Sequence, residues 1–192
     1  LINHKGVQAI SFTGGTATGK IIAQKTAASF KKLSLEMGGK NPAIIFPDCD
    51  YKKMLDTVVQ SSFSNQGQIC LSSSRILIQT EIFKQFKKDF IGKVAELIVG
   101  DPQNIGSDLG AVSSENHFEK IMNYIALAEK EGGKILWGGK AVKLNGRCKK
   151  GWFIKPTIIE GLTNAAKTNQ EEIFGPVVTL IPFDNEEDAI QI

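Results

Sequence analysis

Short runs of β-branched and apolar residues alternate along this chain with longer runs whose apolar residues recur at helical spacing. That alternation restricts the fold more than any other feature. Residues 7–12, 32–36, 42–46, 75–79, 134–137, 153–159 and 177–183 read as strands. Between them, residues 16–30, a stretch from Asp48 or Asp50 to Phe63, and residues 81–97 and 116–130 read as helices, and another helix starts at Glu186. The 81–97 helix puts Ile82, Phe83, Phe86, Phe90, Val94 and Leu97 on one stripe, the face a core covers. The order is α/β throughout, which predicts mainly parallel strands joined by crossover helices. Residues 42–46 are almost wholly apolar, which predicts a strand covered on both faces. Residues 101–110 read as a loop, and residues 138–151, rich in glycine, lysine and asparagine, as a surface excursion.

With 192 residues, 42% hydrophobic and 22% charged, the chain can bury one good core or two small ones. Net charge is +3, and the basic residues sit on helical stretches beside Asp and Glu. They read as solvated helix faces rather than a nucleic-acid groove. No apolar run approaches the ~18 residues of a membrane span, and the first residues lack the apolar core of a signal peptide. The chain begins at Leu1 and stops at Ile192 inside a young helix, so a segment of a longer protein is expected. Cys49, Cys70 and Cys148 are odd in number and at no metal-ligand spacing. That usage predicts no disulfide frame, no metal, and a reducing, cytoplasmic setting. Cys148 falls in the excursion, where an exposed, oxidisable thiol is expected, and His4 and His117 read as surface residues.

Two stretches bear on chemistry. Gly14-Gly15-Thr16-Ala17-Thr18-Gly19-Lys20 lies between a strand and a helix and matches the first seven positions of a phosphate-cradling loop. Ile21 stands where that loop needs a magnesium-binding hydroxyl, so what survives is a helix N-terminus with free N–H groups suited to a cofactor phosphate. In Asn65-Gln66-Gly67-Gln68-Ile69-Cys70 a cysteine follows a polar, glycine-containing loop. Taken alone, Cys70 reads as a small buried thiol, Glu36 as a strand-end surface carboxylate and Glu172 as a helix cap. A thiol with an ordinary pKa of about 8.5 is mostly protonated and needs activation from its surroundings.

Their company changes those readings. Leu35-Glu36-Met37-Gly38-Gly39-Lys40-Asn41-Pro42 and Phe63-Ser64-Asn65-Gln66-Gly67-Gln68-Ile69-Cys70 together resemble the paired active-site signatures of the NAD(P)-dependent aldehyde dehydrogenase superfamily. Phe12-Thr13-Gly14-Gly15 resembles that family's strand-to-helix turn, and Glu171-Glu172-Ile173-Phe174-Gly175-Pro176 its late cofactor-contacting motif. The resemblance implies the end of a Rossmann-like cofactor domain over residues 1–36 and most of an α/β catalytic domain over 37–192. It implies that Cys70 attacks a small aldehyde, that hydride passes to NAD (NADP being the other candidate), and that Glu36 activates the water that hydrolyses the thioester. Gly14 and Gly15 would approach the cofactor phosphate, Glu172 would hold the nicotinamide ribose, and Phe174 would pack beside it. Gly15 stands where many members carry serine, and His117 where glutamine is usual; Lys120 matches a minor ribose-contacting lysine. Within the superfamily, residues 31–46 and 65–76 look closest to the 2-aminomuconic and 2-hydroxymuconic semialdehyde branch. Members are longer, so a missing N-terminal part would carry most of the cofactor sheet and the asparagine that shares the oxyanion hole. A missing C-terminal part would carry the contacts of a homodimer or homotetramer, and the chain alone is expected to be inactive. Two other readings are a non-catalytic homologue acting as a structural or binding protein, and a P-loop nucleotide binder.

Overall fold

Parallel strands cannot be joined by a tight turn, so each parallel pair in this chain requires a crossover. The computed structural model describes residues 1–192 and divides them into two units, Leu1–Gly39 and Lys40–Ile192. In the smaller unit β1 (Ala9–Gly14) pairs in parallel with β2 (Lys32–Met37), from Ala9 opposite Lys32 to Gly14 opposite Met37. The crossover is α1 (Thr16–Thr26), extended by a 3₁₀ turn at Ala27–Ser29. Lys31 Nζ donates to the His4 and Val7 carbonyls at 2.6 and 2.7 Å, tying down the segment before β1. Only Gly19, Ile22 and Thr26 are buried in this unit.

The larger unit is built on a five-stranded sheet of β3 (Pro42–Ile45), β4 (Arg75–Gln79), β5 (Lys134–Trp137), β8 (Thr157–Glu160) and β9 (Val177–Phe183). Their spatial order is β3-β4-β9-β8-β5, and every neighbouring pair is parallel except β5 with β8. The helices are α2 (Tyr51–Phe63), α3 (Thr80–Ala95), α4 (Glu115–Lys130), the single turn α5 (Lys167–Gln170) and α6 (Glu186–Gln191). Side chains alternate along each strand. Ile76 and Ile78 therefore join Val178, Leu180, Phe86, Phe90 and Val94 on the α2–α3 face. Leu77 and Ile181 turn the other way toward Ala189 of α6. Ile159 and Val177 meet Ile121, Ile125 and Ala128 of α4 in a further cluster. Helices thus cover both faces of a largely parallel sheet, the layering the alternation predicts. The stripe on α3 is buried as expected, with Phe86 stacked on Phe90 at 5.1 Å between ring centroids.

Four expectations are corrected. The strand at 42–46 is not covered on both faces, because Pro42 and Ile44 are exposed, Ile44 at 46%, and it lies at the edge of the sheet with β4 as its only partner. The run at 153–159 is two strands, since Pro156 has no N–H to continue a ladder. Its first part, β7 (Phe153–Ile154), pairs with β6 (Ala141–Val142) inside the supposed excursion, while β8 joins the main sheet. Cys148, expected in an exposed loop, is buried, and burial with Asp101 nearby pushes its thiol pKa up. His117 is more than a surface residue, because its ring nitrogen is hydrogen-bonded within the larger unit.

Candidate active site

The chain leaves α2 through three successive left-handed residues, Asn65 (φ 50°), Gln66 (φ 57°) and Gly67 (φ 67°). Side chains bearing a Cβ avoid this region, so the turn is held by its surroundings. A Cβ on Gly67 would stand 2.3 Å from the Gly175 carbonyl oxygen, and only glycine fits. Asn65 Nδ2 donates to the Gln68 carbonyl at 3.1 Å, and the Ser113 N–H donates to Gln68 Oε1 at 3.0 Å. Cys70 emerges from this turn exposed.

Backbone groups around Cys70 are fixed from the start of β3. Asn41 Nδ2 donates to the Cys70 carbonyl at 2.6 Å and to the Ser72 carbonyl at 3.3 Å. The Asn41 carbonyl accepts from the N–H groups of Ser74 and Arg75, both at 3.1 Å. The Cys70 N–H has no protein acceptor. A thiol whose own carbonyl is anchored, with a free N–H beside it, has the elements of a nucleophile next to an oxyanion donor.

Against the Gly67 turn runs the segment 171–176, between α5 and β9. Phe174 is itself left-handed (φ 59°). The next residue, Gly175, lies so close to α4 that an added Cβ would be 2.5 Å from Ile121 Cδ1. The Cys70 loop, the 171–176 segment and α4 are therefore packed in series. Glu172 is half-buried, and its carbonyl accepts from Lys120 Nζ at 2.9 Å. Lys40 Nζ is buried without a hydrogen-bond partner. Burial, with Arg75 and Lys120 adding to it against the pull of Glu172, lowers its pKa to about 8.

In the smaller unit Glu36, exposed, lies opposite Thr13, one residue from the pairing of Gly14 with Met37. Glu36 and the Gly14-Gly15 turn thus share the carboxyl end of a parallel strand pair, where α/β folds place their ligands. Gly15 caps α1 with extended backbone, no side chain caps the helix, and nothing lies within 4 Å of where a Cβ would be. An uncapped N-terminus with open space fits a phosphate. The P-loop reading fails, because α1 begins at Thr16 and carries Gly19 and Lys20 inside the helix, leaving Gly15 as the whole connection. No cluster of three or more His, Cys, Asp or Glu could hold a metal ion.

Of the residues singled out by sequence, Cys70, Glu172 and Phe174 fall in the larger unit, around loops that touch through Gly67 and Gly175. Glu36, Gly14 and Gly15 fall in the smaller. Sequence reading missed Asn41, whose only signal was a place inside the Glu36 motif, and the buried ammonium of Lys40 in the same motif.

The aldehyde dehydrogenase family model matches residues 1–192. The chain is 45% identical to 2-aminomuconic semialdehyde dehydrogenase of Bos taurus, over 100% of this chain and 40% of that protein. It is 42% identical to 5-carboxymethyl-2-hydroxymuconate semialdehyde dehydrogenase of Escherichia coli, over 100% of this chain and 41% of that one. Among solved structures, betaine aldehyde dehydrogenase from Staphylococcus aureus in complex with NAD+ superposes with a TM-score of 0.93 at 38% identity. That match covers 99% of this chain and 38% of the other. The chain spans about two fifths of the length of these relatives. A family model matched from end to end, over a fold with the same layering, identifies the chain as a member of the aldehyde dehydrogenase family.

Proposed function

We propose that this chain is part of an enzyme that oxidises a small aldehyde to a carboxylic acid with NAD(P)+, with Cys70 as nucleophile and Glu36 as general base. The observation that carries the reading is the exposed Cys70 on a loop whose backbone is fixed by Asn41, packed through Gly67 against the segment bearing Glu172 and Phe174. NAD(P)+, when bound, supplies the hydride acceptor. Cys70 Sγ adds to the aldehyde carbon, its proton passes to solvent, and the resulting oxyanion takes the Cys70 N–H as a donor. Loss of hydride converts the adduct to a thioester. Glu36 then takes a proton from the attacking water, the C–S bond breaks, and Cys70 is regenerated with release of the acid. The uncapped turn at Gly14 and Gly15 suits the cofactor's pyrophosphate, and Glu172 with Phe174 suits its nicotinamide end. Residues 1–36 are read as the end of the cofactor domain and 37–192 as most of the catalytic one. The names of the relatives favour a semialdehyde as substrate. A cytoplasmic homodimer or homotetramer is proposed for the full-length protein.

The test is NAD(P)H formation by the full-length protein over a panel of semialdehydes and betaine-type aldehydes. C70A is expected to abolish turnover. E36Q is expected to retain a rapid first-turnover burst of NAD(P)H and to slow the steady state by about 10²–10⁴-fold, the usual contribution of a general base. Full activity in C70A would overturn the assignment, and so would selective iodoacetamide labelling at another residue as the inactivating event. The non-catalytic reading predicts a wild-type protein with no turnover and an inert Cys70.

A further inference from the structure

One face of α4 makes three polar contacts to a single short segment. His117 Nε2 lies 2.6 Å from the Phe174 carbonyl, Lys120 Nζ donates to the Glu172 carbonyl at 2.9 Å, and Tyr124 Oη donates to the Glu171 carboxylate. Positions 117, 120 and 124 are three and four residues apart, so they form one stripe along the helix. Ile121 on the same side fills the space left by Gly175. A carbonyl oxygen only accepts, so His117 Nε2 carries the proton in this contact. The His117 ring also meets the Phe174 ring edge-on at 6.1 Å. Phe174 needs such restraint, because its left-handed backbone is costly for a residue with a bulky side chain.

We propose that His117, with Lys120 and Tyr124, is a latch that holds segment 171–174 against α4, with Phe174 in the left-handed conformation that seats the cofactor, making His117 a positioning residue for NAD(P) binding. The proposal rests on the functional reading above. His117 acts through Phe174 and Glu172 and is given no contact with the reacting atoms.

The experiment compares wild type with H117F, H117Q and Y124F in the full-length protein. Without cofactor, hydrogen exchange of the amides in 171–175 is expected to rise about tenfold in H117F, the equivalent of about 1.4 kcal/mol. H117F keeps the ring contact and removes the donor; H117Q restores the donor and is expected to return exchange to near the wild-type value. Y124F is expected to raise exchange at Glu171 and Glu172 to a smaller extent. NAD binding by titration calorimetry should weaken about tenfold in H117F, and KM for NAD should rise alike with little change in KM for the aldehyde. Wild-type exchange in H117F overturns the latch. Faster exchange with unchanged NAD affinity overturns its role in seating the cofactor. If the wild type neither binds nor reduces NAD, the functional reading fails, and the exchange data still decide the latch. Should H117F not fold, exchange in Y124F decides it in the same way.

Discussion

At the scale of single residues, the buried ammonium of Lys40 is costly to the fold, because no hydrogen bond offsets its lost hydration. Its pKa lies at about 8 in the fold against 10.5 ordinarily. Between those values the unfolded chain holds the proton and the folded chain does not, so stability rises with pH through that window. The shift is worth roughly 3 kcal/mol at neutral pH. K40M is therefore expected to be more stable than wild type at pH 7, by about 1–3 kcal/mol in urea unfolding. The difference should shrink between pH 8 and 10.5; a gap that stays constant would show that Lys40 is not the source. A single position also separates what sequence can and cannot say about the site. Cys70 could be proposed as a nucleophile only through its neighbours in the motif. Its anchoring by Asn41 was not legible, since that bond spans 29 positions and depends on β3 and β4 lying side by side.

At the scale of elements, the single turn α5 is too short to stand by propensity, and it leads directly into the segment carrying Glu172. Glu131, just past α4, stabilises it: its two oxygens accept from the Lys167 and Thr168 N–H groups at 2.7 and 3.1 Å. Partial desolvation pushes the Glu131 pKa up, but the Thr168 and Lys167 hydrogen bonds outweigh it, and the net shift is downward. A depressed carboxylate stabilises the fold fully above its ordinary pKa of 4.5 and loses that contribution as pH falls below it. E131A is expected to cost about 1 kcal/mol near pH 7, as for loss of a helix cap, and much less near pH 3, as read by thermal melts at both values. Equal destabilisation at the two pH values would count against the charge-assisted cap. Periodicity located β4, β5 and β9 to the residue and α3 and α4 within two. It found the strand at 42–46 but not that one face stays open, and it missed the break inside 153–159, because an apolar run does not reveal which neighbours will cover it, nor which of two sheets each half will join.

At the scale of the whole molecule, the two units differ sharply in how much they bury. The larger encloses a five-stranded sheet between helices, while the smaller has two strands and three buried residues. Two-stranded sheets are marginal by themselves. Expressed alone, residues 1–192 are expected to exchange amide hydrogens in β1 and β2 far faster than in β4 and β9. The same preparation is expected to give negligible NAD-dependent aldehyde turnover. Protection of β1 equal to that of β9, or turnover at rates typical of enzymes, would contradict this. The sequence by itself determined the α/β order and the family, and it singled out the residues proposed for the chemistry, because periodicity and motifs are local and survive without knowledge of distant neighbours. The tertiary structure alone decided that β3 is an edge, that Cys148 is covered, and that α4 grips 171–174 through His117. Those outcomes depend on which surfaces meet, and burial and hydrogen bonding between segments far apart in the chain are set only when the sheet is assembled.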